Sequence, residues 1–323
     1  MKPGRPSAIL TIDGRALSVA EAAVAALTVV LQNGSHHWAE IVVWPESKFA
    51  SVKPGASISV ALGTVDSEED VLAGKIASIS QSGAAVVLEA LGTTAELSQT
   101  RRSQTYVSQS IADIVRDLAG PVDIDEVDSD VRLQAYSVDD RRSVWGHLLD
   151  LSRLTGAELG SSASGGLRFV PVRSGSATRK FRHGADLLEW KIAANRSAEK
   201  PLAIAPHGAG SEAGQEKWHW LLHDPVGSSG KPSQVVGGFH SRDASDNLNQ
   251  ALEARVKRAS VWGSLRVVGE SKVRPGEIVA VDGLPGDDPG ALRVLEVRHA
   301  FDDSGFITQL AVEGGGADLG LSL

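Results

Sequence analysis

The sequence predicts an α+β chain that is mostly β, with two similar β-modules and an α+β insert between them. Three observations carry this prediction. Strand-like text punctuated by Gly and Pro fills the first hundred residues. The same order of turns and strands recurs near the far end. In the middle the spacing of apolar residues becomes helical.

The early copy reads Lys53-Pro54-Gly55, then Ile58 and Val60, then Gly74-Lys75-Ile76 with Ile79, and after Ser82-Gly83 the run from Val86 to Ala90. The late copy reads Arg274-Pro275-Gly276, then Ile278, Val279 and Val281, then Gly290-Ala291-Leu292 with Val294, and after Ser304-Gly305 the run from Thr308 to Val312. Pro54, Gly55, Gly74 and Gly83 therefore answer to Pro275, Gly276, Gly290 and Gly305 as the turns of a repeat. Two like modules in one chain suggest two like surfaces for its neighbours, a structural need rather than a catalytic one.

Taken in order, Ser18 to Gln32 reads two ways. Its alanines and the Ser18–Glu21 capping box favour a helix, whereas Leu27-Thr28-Val29-Val30-Leu31 is β-branched enough for a strand. Ile41 to Trp44 is a short apolar strand, and Ser57 to Leu62 alternates with the period of a half-buried one. Ile111, Ile114, Val115 and Leu118 then share a helical face, with Ser108 or Ser110 as cap and Gly120-Pro121 as stop. Val144, Leu148 and Leu151 mark a second helix ended by Gly156, and Ala157-Glu158-Leu159 with Leu167 to Val170 read as a hairpin. Arg173 to Thr178 reads as a Ser/Gly linker, Trp190 to Ile192 as a strand, and His207 to Gln215 as a Gly-rich loop. A third helix is expected from about Asp243 to Ala259, with Leu248, Leu252, Val256 and Ala259 on one face. The expected domains are 1–100, the insert 101–172, a second β-domain 173–316 and a tail 317–323.

Composition narrows the function. The 323 residues give room for about two domains, and a 42% apolar fraction suffices for ordinary cores. Forty acidic against 32 basic residues leave a net charge of −8, which gives a nucleic-acid-binding surface no support from bulk charge. The absence of cysteine removes disulfides, thiol nucleophiles and thiolate zinc sites. Met1-Lys2-Pro3-Gly4 opens no apolar signal core, and no stretch reaches the ~20 apolar residues of a spanning helix, so synthesis in a cytoplasm is expected.

Chemical motifs fare poorly. His219 and His223 beside Glu216 and Asp224 could hold a metal on a helix, but Trp218, Trp220, Leu221 and Leu222 read more like a strand, where the spacing still puts both histidines on one face. His36-His37 read as exposed loop histidines. Gly227 to Lys231 resembles a phosphate loop, but Pro225 and Pro232 stand where Gly and Ser/Thr are required. Gly208 to Ala213 loosely fits a dinucleotide fingerprint without the helix that would follow it, and reads as a loop. The carboxylate pairs Asp139-Asp140, Asp287-Asp288 and Asp302-Asp303 sit where Asp caps turns. No catalytic residue, cofactor site or metal site is therefore expected.

The chain resembles the baseplate hub, or late control protein D, family of phage tails and contractile injection systems, which recurs as the hub part of type VI spike proteins. The resemblance runs through Val52 to Gly55 with Val60 to Gly63, Ala73 to Ile76, Arg101 to Tyr106 with Ile111 to Val115, and Gln134 to Asp139. It continues through Leu148 to Gly156, Gly166 to Phe169, Val273 to Gly276 and Leu295 to Phe301. Order and spacing carry it; no single motif does. The chain departs from the pattern at Ser18 to Leu27 and Ser211 to Lys231.

The resemblance implies two tube-protein-like β-barrel domains per chain and a homotrimer whose six modules form a ring. It implies a tail tube protein, a central spike protein and baseplate wedge or tail-tip proteins as partners, with DNA or payload passing through the lumen. It also implies a place in a virion tail or injection baseplate, assembled in the bacterial cytoplasm. Two alternatives are a tail-associated cell-wall hydrolase and a monomeric β-rich binding module.

Overall fold

The computed structural model describes residues 4–194, 205–210, 219–222, 233–235, 242–285 and 289–315. The first module comprises β1 (Pro6–Ile12), β2 (Arg15–Ser18), β3 (Val24–Gln32), β4 (Trp38–Val43), β5 (Ser57–Thr64), β6 (Ser67–Ser82) and β7 (Ala85–Gly92). After a short α1 (Glu96–Gln99), the insert holds β8 (Gln104–Ser110), α2 (Ile111–Ala119), β9 (Ile124–Val127), β10 (Arg132–Val138), α3 (Val144–Thr155), β11 (Glu158–Ser161) and β12 (Leu167–Val170). There follow β13 (Arg179–Arg182), β14 (Leu187–Ala194), β15 (Ala205–Gly210), β16 (His219–Leu222), β17 (Ser233–Val235) and α4 (Arg242–Ala259). The chain's described part closes with β18 (Val261–Val268), β19 (Ile278–Asp282), β20 (Leu292–Asp302) and β21 (Gly305–Gly314).

Thirteen of these strands form one sheet in the order β14-β18-β21-β20-β3-β4-β7-β6-β5-β1-β2, with β19 and β13 branching from β20. Every pairing is antiparallel except that of β13 with β19. The modules join where β20 pairs with β3, from Glu296 opposite Gln32 to Phe301 opposite Leu27. Among the described residues no pairing closes either module into a barrel, so the two expected barrels take the form of one open sheet. The cause is that β3 and β20 satisfy each other's edges across the module boundary. One apolar core underlies the whole sheet, because alternate residues such as Leu27, Val29, Leu31, Ile41, Leu88, Val297 and Leu310 face the same side and are buried. Of the strands from Arg179 to Leu222, β13 and β14 join this sheet. β15 and β16 pair with each other, and with β17 make a separate sheet.

The repeat holds down to individual hydrogen bonds. Gly55 N–H donates to the Ile76 carbonyl at 2.7 Å and Ile76 N–H to that of Ala56 at 2.9 Å. Gly276 N–H donates to Val294 at 2.8 Å, and Val294 N–H to Glu277 at 2.9 Å. Gly55 and Gly276 both hold positive φ, 93° and 90°, which glycine adopts without steric penalty. The registers continue the match: Val43, Leu88 and Ile79 correspond to Val267, Leu310 and Val297. Two glycine pairings suggested by the sequence change. Gly74 lies inside β6 opposite Gly92, and its counterpart is Leu292 opposite Gly314, so Gly290 falls two residues early. Gly83 forms the tip of the β6–β7 hairpin, whereas Gly305 follows the tip of a hairpin two pairs longer. At Gly74 an added Cβ would sit 2.0 Å from the Leu91 carbonyl oxygen, which explains that glycine locally.

From Ser18 to Gln32 the strand wins. The capping contact forms, with Ser18 N–H donating to Glu21 at 3.0 Å, but it closes only a turn before β3. The ladder that Leu27 to Leu31 makes with both β4 and β20 outweighs local alanine propensity. Likewise His207 to Gly210, read as the start of a Gly-rich loop, lie in strand β15.

The insert has its own core of Leu97, Ile111, Ile114, Val115, Leu118, Val144, Leu148, Leu151, Leu167 and Phe169. Ser110 caps α2, accepting from Asp113 N–H at 3.1 Å, and Ser143 caps α3, accepting from Gly146 N–H at 3.1 Å. Gly156 ends α3 in the left-handed region at φ 67°. On α4, Leu248 and Leu252 pack against this core rather than the sheet's, and Ala259 is exposed. Ser143→Ala is expected to cost about 1 kcal/mol, read as a lowered urea midpoint.

Candidate assembly site

The junction of β3 and β20 is the seam between modules, and the insert docks at its end, where Gly34 N–H donates to the Leu159 carbonyl at 2.6 Å. Below it, Arg293 of β20 is 6% exposed and bridges two carboxylates. Its Nε donates to Glu158 Oε1 at 3.0 Å, its Nη1 to Glu313 Oε1 at 2.7 Å, and its Nη2 also to Glu158. Arg258 Nε donates to Glu313 at 3.1 Å, and Asn33 Nδ2 to Glu158 Oε2 at 2.8 Å. Two cations thus balance two anions, contributed by β11, α4, β20 and β21, and Asn33 adds a neutral donor from the first module. Such a group is held by geometry, since burying charge is tolerable only when it is paired and hydrogen-bonded. Nothing in the sequence pattern singled out Glu158. The only signal was an arginine inside the apolar run Leu292-Arg293-Val294-Leu295.

A second tie joins the modules at the repeated turn. Arg274 Nη2 donates to the Asp70 carbonyl at 2.8 Å and Lys272 pairs with Glu69 at 3.0 Å. Burial pushes the Arg274 guanidinium below its usual range, and pushes the Glu277 carboxyl above its own.

The histidines read as exposed loop residues are not. His37 is 3% exposed, its carbonyl accepting from Gly92 N–H at 2.8 Å, and His36 donates or accepts at Thr94 (3.1 Å) and Ser98 (2.6 Å) with its ring tilted 4.3 Å from that of Trp145. His299, fully buried on β20, contacts the Thr308 hydroxyl at 3.0 Å. Burial lowers all three, His36 and His37 to about 4 and His299 to about 3. These folded-state values lie below the ordinary 6.5, so the unfolded chain binds protons first as pH falls. Full stability is expected above about pH 6.5, with loss as pH drops toward 4. Urea midpoints across that range check this, and His299→Gln should flatten the decline.

The face of the sheet opposite the core is solvent-exposed and mixed in charge. Trp38 of β4 corresponds to Trp262 of β18, and Lys191 Nζ lies 5.8 Å from the Trp262 ring centroid. Arg266 pairs with Glu189 at 2.9 Å, and Ser78 donates to Glu89 at 2.6 Å. This face offers alternating small polar, aromatic and oppositely charged groups without a basic stripe.

The chemical candidates do not assemble. Asp139 accepts from Arg141 N–H at 3.0 Å and Asp302 from Ser304 N–H at 2.8 Å, each closing its own turn. Asp287 and Asp288 lie outside the described residues, as do Gly227 to Lys231, Ser211 to Ala213, Glu216, His223 and Asp224. Among the described residues no three His, Asp or Glu side chains group to hold a metal, and no helix is long and apolar enough to cross a membrane.

The architecture has solved counterparts. A 43 kDa tail protein of prophage MuSo2 from Shewanella oneidensis matches over 97% of this chain and 99% of its own, at 14% identity and a TM-score of 0.68. A tail protein from Neisseria meningitidis MC58 matches over 97% of both chains, at 13% identity and a TM-score of 0.71. The fold is that of phage tail proteins. An Escherichia coli component of the type VI secretion system shares it too, over 94% of this chain and 76% of that one, at 12% identity and a TM-score of 0.60. No family model and no curated protein matches the sequence.

Proposed function

We propose that this chain is a structural, non-catalytic hub of a phage tail or related injection baseplate. Three copies form a ring of six tube-like modules that adapts a sixfold tail tube to a threefold spike and leaves a channel for DNA or payload. The observation that carries this reading is the repeat itself: two modules that share the Pro-Gly turn and the register of their matched strands, joined edge to edge in one sheet that is open at its ends among the described residues. Quasi-equivalent units joined by a repeated contact close naturally into a ring. The tail-protein fold supports a tail location, and the mixed-charge sheet face suits a lumen along which nucleic acid moves without being held. The insert, packed at one end of the sheet, would face wedge, tail-tip or spike proteins. Native mass measurement of the purified chain, alone and with tube and spike proteins, should give three chains. A mass of one chain in every condition would overturn the reading.

A further inference from the structure

We infer that β14 of one chain adds to the free edge of β6 in the next, in the register Ala194 opposite Ile79, Ala193 opposite Ser80 and Ile192 opposite Gln81. The inference rests on the ring reading and supplies its joint. The template is the junction inside the chain. β3 pairs with β4 with a register shift between Val24 and Ala26, and β14 pairs with β18 with the same shift between Leu187 and Glu189, so β14 is the second module's β3. β6 shifts against β7 between Ile76 and Ser78, and β20 against β21 between Val294 and Glu296, so β6 is the first module's β20. β20 pairs with β3. Carrying that contact one module onward places β14 on β6.

Both edges await a partner. From Glu189 onward β14 pairs only with β18, and β6 beyond Ile76 pairs only with β7, among the described residues. At the internal junction Leu27, Val29, Leu31 and Val297 are at most 1% exposed. Their counterparts Trp190, Ile192, Ala194 and Ile79 face the same core but are only partly buried. An added strand would complete their cover. The edges also differ in how they are protected. β13 is four residues long with three basic ones, and β2 is also only four residues, as edges that must stay unpaired commonly are. From Ile76 to Ser82, β6 has neither charge nor proline, and β14 has no proline, its Glu189 and Lys191 lying on the face away from the core. A bare edge of that length is built to be paired.

The chain lacks cysteine, so engineered pairs report without background. Ser80→Cys with Ala193→Cys, and separately Gln81→Cys with Ile192→Cys, should on mild oxidation shift the protein from one chain to covalent dimers and trimers on a non-reducing gel. Ser78→Cys with Lys191→Cys, out of register, should stay at one chain. A trimer by native mass whose in-register pairs fail to cross-link, or cross-link no better than the control, overturns the strand pairing and leaves the ring standing. A chain monomeric with its partners present overturns both.

Discussion

Replacing Arg293 by alanine should cost the folded chain about 3–5 kcal/mol, the range found when one partner of a buried ion pair is removed. The size follows from what stays behind. Glu158 and Glu313, with side chains 8% and 11% exposed, would lose the guanidinium that both accept from, while Arg258 still neutralises only the Glu313 side and Asn33 offers Glu158 a neutral donor. Arg293→Lys should recover only part of the loss. An ammonium is a point charge and cannot present the fork that reaches Glu158 through Nε and Nη2 and Glu313 through Nη1. Because Glu158 belongs to the insert and Arg293 to the sheet, the loss should also loosen their docking. Urea unfolding followed by tryptophan fluorescence measures the first effect, and protease cleavage between Gly156 and Arg179 the second. A change in unfolding free energy below about 1 kcal/mol, the scale of an exposed pair, would show that the network contributes little.

The sequence made the repeat legible because its turns are local. Pro-Gly after a basic residue sets the φ values and hydrogen bonds of one turn, and both copies retain them. Helices α2 and α3 were legible for the same reason, since cap, stripe and stop all lie within one short window. What failed was non-local. Whether Val24 to Gln32 becomes strand depends on β20, far along the chain, which no propensity within the segment reports. Aligning the copies on Gly290 and Gly305 failed because Gly74 lies inside β6 while Gly290 precedes β20, and because the β20–β21 hairpin is two pairs longer than the β6–β7 one, whereas register is set by alternation along β20 and β21. The contacts of His36 with Trp145 and of Glu158 with Arg293 depend on where the insert docks. The tail-protein architecture was legible from the order of motifs, yet the open sheet that unites the modules was not, because an edge gives no signal of which strand will cover it.

Equivalent positions on free and covered edges should respond oppositely to the same substitution. Ile79 of β6 and Val297 of β20 occupy matching places, each facing the core opposite a leucine of the next strand, Leu88 and Leu310. Val297 is fully buried beneath β3, so Val297→Lys places an unpaired charge in the core and should leave little folded protein, monomer or otherwise. Ile79 is partly exposed at the open edge, where a lysine stem can lie along the apolar surface and carry its ammonium to water. Ile79→Lys should therefore retain the circular dichroism and near-normal urea midpoint of the single chain while reducing it to a monomer in native mass measurements. An inward-pointing charge on an edge strand is the device by which sheets avoid pairing. If Ile79→Lys still assembles as three chains, β6 is not the covered edge and the ring must close through another surface. If instead it unfolds as Val297→Lys does, the edge is already covered within the single chain.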